Sequence, residues 1–209
     1  MSTVTYSQYL RLKQLLSLQQ PLTPDDDREI HDGERLFIVV HQASETLLSQ
    51  ALTDLRHIEA GLCDSACSDH RANRAARVVE TLESHLVLLR SSLKPEHFQL
   101  FRDRFGTASG LQSKQFHELF EITHRLAQRR AADRVESGGI ELAERELVRL
   151  RAATRSWRYT HLKLVEHMLG DLEGTGETSG VDYLRRRIDE AAAESAVGDD
   201  DSTAESPGC

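Results

Sequence analysis

The sequence has few cysteines, few aromatic residues and no excess of positive charge, and each shortage excludes a class of protein. Three cysteines in 209 residues are too few, and odd in number, for a disulfide framework. A formal net charge of -8 argues against a nucleic-acid surface, which needs clustered lysine and arginine. No apolar run approaches the ~20 residues that a membrane helix needs, and the first residues lack the apolar stretch of a signal peptide. We therefore expect a cytoplasmic protein with neither a nucleic-acid nor a membrane partner.

Cys63, Cys67 and His70 form a group with metal-ligand chemistry, in the sequence CDSACSDH. Their spacing would place the three side chains on roughly one face of a helix. A structural zinc site needs about four such ligands, and the sequence offers no matching second pair. The motif therefore favours a surface helix or a loop end over a metal site.

Proline is scarce as well, and the four prolines lie at positions 21, 24, 95 and 207. Between them apolar residues recur at helical spacing, and the alternation typical of strands is almost absent. The apolar run LFIVV at 36–40 could be a strand, but the residues after it continue in helical period and predict a buried helix. The pattern predicts an all-α helical bundle, with helices over about 6–18, 32–60, 70–91, 112–133 and 140–170, a short helix from Pro95 and a last one from Val181.

The chain has the length of one domain, and its composition changes only near the end. Residues 1–196 are predicted to form a single helical domain, because the periodic pattern continues without a linker. From residue 197 the sequence is small, acidic and without apolar anchors. We expect the tail 197–209 to be disordered.

The segment 156–180, SWRYTHLKLVEHMLGDLEGTGETSG, contains two histidines and a glycine-rich loop. His161 and His167 lie on a helical pattern, where a histidine is more often a core or surface residue than a metal or haem ligand. The loop GTGETSG directly precedes a helix. Its hydroxyl side chains and the free N–H groups of that helix could bind a carboxylate or phosphate, or could simply cap the helix. Periodicity and spacing alone leave both alternatives open.

Two further side chains are candidates for binding a polar ligand. Arg102 precedes a second loop with small hydroxyl residues, and its planar guanidinium matches a carboxylate. On its own, it could equally be a surface arginine. His41 lies inside the apolar run FIVVHQ, so we expect it to be buried and to need a hydrogen-bond partner. That partner could be the backbone or a ligand.

Taken together, four segments in this order resemble tryptophan 2,3-dioxygenase: residues 6–22, 34–45, 101–116 and 157–184. They make up about a third of the chain. The most specific feature is WRYTH followed by GTGETSG. The resemblance implies an all-helical bundle that encloses haem b, usually in a homotetramer. It also implies a cytoplasmic enzyme of tryptophan catabolism, which uses O2 to open the indole ring of L-tryptophan to N-formylkynurenine, the precursor of kynurenine.

The resemblance also assigns roles at the haem. His161, and not His167, would be the proximal ligand of the haem iron. His41 would lie on the opposite side and accept a hydrogen bond from the indole N–H, as a catalytic residue. Ser109 would reach the haem edge or the bound oxygen, as the second catalytic residue.

The remaining roles implied by the resemblance concern the substrate. Phe37 would pack on the indole ring, with Phe98 nearby. Arg102 would pair with the substrate carboxylate, and Thr175 would hold the ammonium and carboxylate groups. The family also implies that a neighbouring subunit of a tetramer or dimer closes the pocket with three residues of its N-terminal segment, namely Tyr6, Tyr9 and Leu10.

The sequence departs from the family pattern in two places. Only about 40 residues separate Phe116 from Trp157, where family members have a longer insert. Glu177 stands where the family has glycine. Three functions therefore stay open: a compact dioxygenase acting on tryptophan or a substituted tryptophan, a haem monooxygenase acting on an aromatic amino acid such as a tryptophan derivative or tyrosine in natural-product biosynthesis, and a relative that binds haem or indole without turnover.

Overall fold

The computed structural model describes residues 4–62, 64–106, 110–133, 144–170, 172 and 181–199 of the protein. Every regular element in these ranges is helical, which confirms the predicted all-α class. The helices are α1 (Tyr6–Tyr9), α2 (Leu12–Leu15), α3 (Arg28–Glu59), α4 (Ser65–Ser92), α5 (Pro95–Arg102), α6 (Lys114–Asp133), α7 (Glu144–Leu169) and α8 (Val181–Asp199), and single 3-10 turns occupy Asp103–Phe105 and Gly110–Gln112.

The long helices lie close to their predicted positions, whereas the predicted helix over 6–18 is wrong. It is two single turns, because Arg11 adopts a left-handed conformation with φ of 54°, which interrupts a right-handed helix. The helix predicted from about 70 begins at Ser65, since the side chain of Asp64 accepts a hydrogen bond from the Cys67 N–H at 2.8 Å and caps it. Pro95 occupies the first turn of α5 as predicted, where its missing N–H costs nothing.

Helix α8 extends to Asp199, three residues into the segment expected to be disordered. Residues 200–209 lie outside the described ranges, as does Cys63. The single domain over 1–196 and the disordered tail stay predictions.

The core is built mainly from α3, α4 and α7, which make the most extensive contacts with one another. Its side chains are mostly aliphatic, as expected from the low aromatic content. Burial of these side chains is the main force that holds the helices together. The fully buried members include Leu48, Leu52, Leu55, Val79, Leu82, Leu89 and Leu150.

A buried carboxylate ties α3 to the N-terminal half of α4. The side chain of Asp54 is fully buried, and Arg71 and Arg74 donate hydrogen bonds to it at 2.9 and 2.7 Å. Cys67 lies beside this group, 3.3 Å from Arg71 Nε and 3.9 Å from His57 Nε2. In the described part of the chain, no three His, Cys, Asp or Glu side chains converge as a metal site would require.

The Asp54→Asn substitution is expected to lower the free energy of unfolding by about 3 kcal/mol, because it leaves two guanidinium groups facing a buried neutral amide. Burial raises the pKa of Asp54, but hydrogen bonds from Arg74, Gln50 and Arg71 outweigh burial and lower the pKa below its usual 3.8. A depressed carboxyl pKa stabilises the fold above the unfolded-state pKa, and this contribution is lost as pH falls through the folded-state value.

Urea unfolding at pH 7 and below pH 3.8 would measure the effect of Asp54→Asn. The difference between wild type and variant should shrink at the lower pH. The exposed Asp189 offers a control, since Asp189→Asn should change stability little. An equal difference at both pH values would contradict the assignment.

The N-terminal arm, residues 4–17, has apolar side chains that the rest of the chain leaves exposed. Helices α1 and α2 contact each other, and their large apolar residues are open to solvent, with Tyr6 75% and Tyr9 78% exposed. Val4, Leu10, Leu15 and Leu16 are exposed as well. In the ranges that the structure describes, no helix has the length and apolar character to cross a membrane.

Candidate functional site

A cavity of about 610 Å³ lies between the cavity-facing sides of α3, α5, α7 and α8, and a lobe of about 130 Å³ adjoins it. His41 and His161 line both spaces. The walls are mainly phenylalanine, leucine and valine side chains, with a few polar groups among them. This size and lining fall within the range of cavities that bind small molecules or cofactors.

His41 has one ring nitrogen engaged and one left to face a ligand. Its Nδ1 lies 2.8 Å from the carbonyl oxygen of Phe37, one turn earlier in α3. A carbonyl accepts only, so Nδ1 carries the proton, and the neutral ring offers Nε2 as an acceptor. Burial of the ring among protein atoms lowers the pKa of His41, although the Phe37 carbonyl and Glu45 act in the opposite direction. The ring is accessible from the cavity, so the expectation that it is buried within the core is wrong.

His161 lies on α7 and is held in an aromatic stack. Its ring is parallel to Trp157 one turn earlier, with centroids 5.0 Å apart, and Trp157 stacks on Phe116 of α6 at 4.3 Å. Burial, followed by the charge of His41, lowers the pKa of His161 to about 4. The imidazole is therefore neutral near pH 7, which is the form that binds a metal.

A group of phenylalanines forms the apolar wall beside His41. Phe37 lies 4.0 Å from the His41 ring and stacks on Phe105 at 5.5 Å, and Phe98 lies 5.7 Å from Phe37. Phe101 is fully buried behind them. Sequence reasoning missed Phe101 and Phe105, although their spacing from Phe98 in HFQLFRDRF, three and seven residues, was a usable helical signal.

Basic side chains lie at both ends of the cavity. Arg102, the last residue of α5, is partly buried and lines the larger space with Phe37 and Phe98. Arg158 lies three residues before His161 and lines the smaller lobe, with its guanidinium 3.9 Å from the centre of the Phe120 ring. Sequence reasoning missed Arg158, because an arginine on a charged helix has no distinctive spacing.

Five of the residues singled out from the sequence line this one cavity: Phe37, His41, Phe98, Arg102 and His161. His167 is exposed on α7 and lies away from the cavity lining. Ser109, Thr175 and Glu177 lie outside the described residues, so their positions are not tested. Tyr6, Tyr9 and Leu10 are exposed in the arm, as residues that contact a neighbouring subunit would be. The roles of all these residues stay predictions.

The chain is similar to known proteins over most of its length. A family model described as Tryptophan 2,3-dioxygenase matches residues 1–141. Proteins named Tryptophan 2,3-dioxygenase from Burkholderia pseudomallei (strain 668) and Burkholderia orbicola (strain MC0-3) are each 28% identical to it over 90% of this chain, covering 80% and 79% of their own lengths. The alignment with the first spans 254 positions, more than the 209 residues of this chain. That relative therefore has residues within the aligned region that this chain lacks, as expected from the short segment between Phe116 and Trp157.

Proposed function

The chain belongs to the tryptophan 2,3-dioxygenase family, and on that premise we propose that it inserts both atoms of O2 into the indole ring of L-tryptophan or a substituted tryptophan. It is an oxygenase by family, and the proposal concerns its substrate and cofactor. The observation that carries the proposal is the position of His41 and His161 on one cavity, together with Phe37 and Arg102.

The residues around the cavity fit a haem b. Such a group needs one axial protein ligand, an apolar slot and partners for its carboxylates. His161 offers a neutral imidazole whose ring orientation is fixed by Trp157. Arg158 and Arg187, on the smaller lobe next to His161, are suited to pair with the haem carboxylates. Haem, when bound, would supply the activation of O2, and the protein would bind and orient the substrate.

The larger space offers tryptophan one contact for each of its chemical groups. The guanidinium of Arg102 would pair with the carboxylate. The ring of Phe37 would pack on the indole, and Nε2 of His41 would accept the indole N–H. These contacts together orient the indole in the cavity, which is the protein's main contribution to a reaction between two bound molecules. Thr175 and Ser109 would add the contacts to the ammonium group and the oxygen that the resemblance implies.

The proposal extends to the oligomer. The apolar side chains of Tyr6, Tyr9 and Leu10 stand exposed in the arm, and their burial against a neighbouring chain would be favourable. We propose that the arm of one subunit closes the cavity of another in a dimer or tetramer, so that the assembled protein is the active form.

The mass of the product tests the proposed function. Haem-loaded, reduced protein would be mixed with L-tryptophan and isotopically labelled O2. Gain of two labelled oxygen atoms, with the absorbance of N-formylkynurenine, is the expected result. Gain of one atom would contradict the dioxygenase and identify the monooxygenase. A normal haem spectrum without any product from tryptophan, substituted tryptophans or tyrosine would contradict both enzymatic functions.

The pH dependence of kcat/KM is expected to show an acid limb that belongs to His41. Protonation turns Nε2 from an acceptor into a donor, so the indole N–H loses its partner as pH falls. Because the pKa of His41 is lowered from its ordinary 6.5, the limb should lie below pH 6.5 and above the region near pH 4 where His161 protonates.

The His41→Leu variant should lack this limb and should lose about threefold to tenfold in kcat/KM at pH 7, the value of one neutral hydrogen bond. Replacing His31, which lies outside the cavity lining, provides the matched control. A variant that retains the same limb as the wild type would exclude His41 as its source.

A further inference from the structure

The six residues 18–23, which we call the strap, join the N-terminal arm to α3 and run along its cavity face. At one end the Gln42 side chain donates a hydrogen bond to the Leu18 carbonyl at 3.0 Å and accepts one from Gln19 Nε2 at 2.7 Å. Gln42 itself lines the cavity. This end of the strap is therefore fixed to α3 through a single side chain, next in sequence to His41.

The other end of the strap is held by Glu34. One carboxylate oxygen accepts the Leu22 N–H and the other accepts the Thr23 N–H, both at 2.8 Å. Glu34 is only 1% exposed and Thr23 only 3%. A carboxylate this buried needs such donors, and charge-assisted bonds to backbone N–H groups are strong ones.

The strap has little slack between these two attachments. Glu34 and Gln42 are eight residues apart on α3, which is about 12 Å at the rise of a helix. The four residue steps from Leu18 to Leu22 span at most ~13–14 Å when fully extended. The strap must therefore be nearly straight and antiparallel to α3, and Pro21 in its middle restricts it further.

The strap is also part of the cavity wall. Gln20 and Leu22 line the larger space on the same side as Glu34 and Gln42. Beyond the strap the chain continues into the exposed arm. One short segment thus connects the wall of a subunit's own cavity to the arm.

We infer that Glu34 is a positioning residue for the substrate: its carboxylate fixes the strap, and the strap holds Leu22 in the wall against which the substrate packs. The inference rests on the proposed function, because the aromatic amino acid is the ligand that this wall would contact. Glu34 acts through the strap and has no part in the oxygen chemistry. Its removal should therefore weaken substrate binding and leave kcat and haem binding as they are.

The Glu34→Ala variant should raise KM for L-tryptophan about tenfold with kcat unchanged, the pattern of a lost ground-state contact. Glu34→Gln, whose carbonyl oxygen can still accept a hydrogen bond, should lie between it and the wild type. Trypsin should cleave after Lys13 faster in Glu34→Ala, because the end of the arm is less firmly held. Asp32→Asn is the matched control, since Asp32 is an exposed carboxylate two residues away, and it should behave as wild type.

Leu22→Ala tests the wall without touching the attachment, and it covers the case in which Glu34→Ala does not fold. It should raise KM while the rate of cleavage after Lys13 stays that of the wild type. An unchanged KM in both Glu34→Gln and Leu22→Ala, with product formed by the wild type, would overturn the inference alone. Absence of product from the wild type would contradict the proposed function instead.

Discussion

The His161→Ala variant is expected to lose the Soret band of bound haem while its helical circular dichroism stays that of the wild type. His161 is the histidine that lines both parts of the cavity from α7, and its pKa of about 4 keeps the ring neutral at pH 7. An iron atom without its axial imidazole keeps only the apolar contacts of the porphyrin and the pairing of its carboxylates. Titration of the purified protein with haemin, followed by absorbance, would measure the loss.

His167→Ala is the matched control for this experiment, because His167 lies on the same helix, is exposed and lies away from the cavity lining. It should bind haemin as the wild type does. Added imidazole should restore part of the Soret band to His161→Ala, since the space left by the ring can accept the free base. A His161→Ala protein with full haem content and a normal ferrous spectrum would refute the assignment of the ligand.

The Arg102→Leu variant is expected to raise KM for L-tryptophan about 100-fold. A hydrogen bond to a charged group contributes up to about 3 kcal/mol, and each 1.4 kcal/mol is a factor of ten. Leucine preserves much of the side-chain volume at this partly buried position, so the cavity wall should stay in place. Steady-state kinetics of the haem-loaded protein would measure the change.

The specificity of the Arg102 effect can be tested with a substrate that lacks the carboxylate. With an indole-ethylamine, Arg102→Leu and wild type should bind equally well, because there is no anion to pair. Arg104→Leu is the matched control, since Arg104 is exposed and lies away from the cavity lining. If Arg102→Leu leaves the KM for tryptophan unchanged, the pairing with the carboxylate is wrong.

Helical periodicity was sufficient to predict the all-α class and the approximate course of the long helices, because α3, α4 and α7 each bury one apolar face. It could not locate the break at Arg11, whose left-handed backbone has no marker such as glycine. It also could not predict the strap. The contacts of Glu34 and Gln42 with residues 18–23 join positions more than ten apart, and they depend on where the chain turns back.

The candidate site was predictable in a different way. Spacing alone left His41, Arg102 and His161 as ordinary helical residues, and only the resemblance to a family selected them as a set. The fold then brings these three to one cavity. The stack of His161 on Trp157 and Phe116 joins α7 to α6, and no pattern within either helix alone contains it. Ser109 and Thr175 still rest on the resemblance alone.

That stack gives the protein a built-in optical reporter. Trp157 is the only tryptophan in the chain, and its ring lies 5.0 Å from that of His161. Its ultraviolet emission therefore comes from a single place, in direct contact with the residue that would hold the iron. A porphyrin arriving there would quench this emission by energy transfer. The filling of the cavity could then be followed in real time at low protein concentration, before any substrate is added and with no label attached.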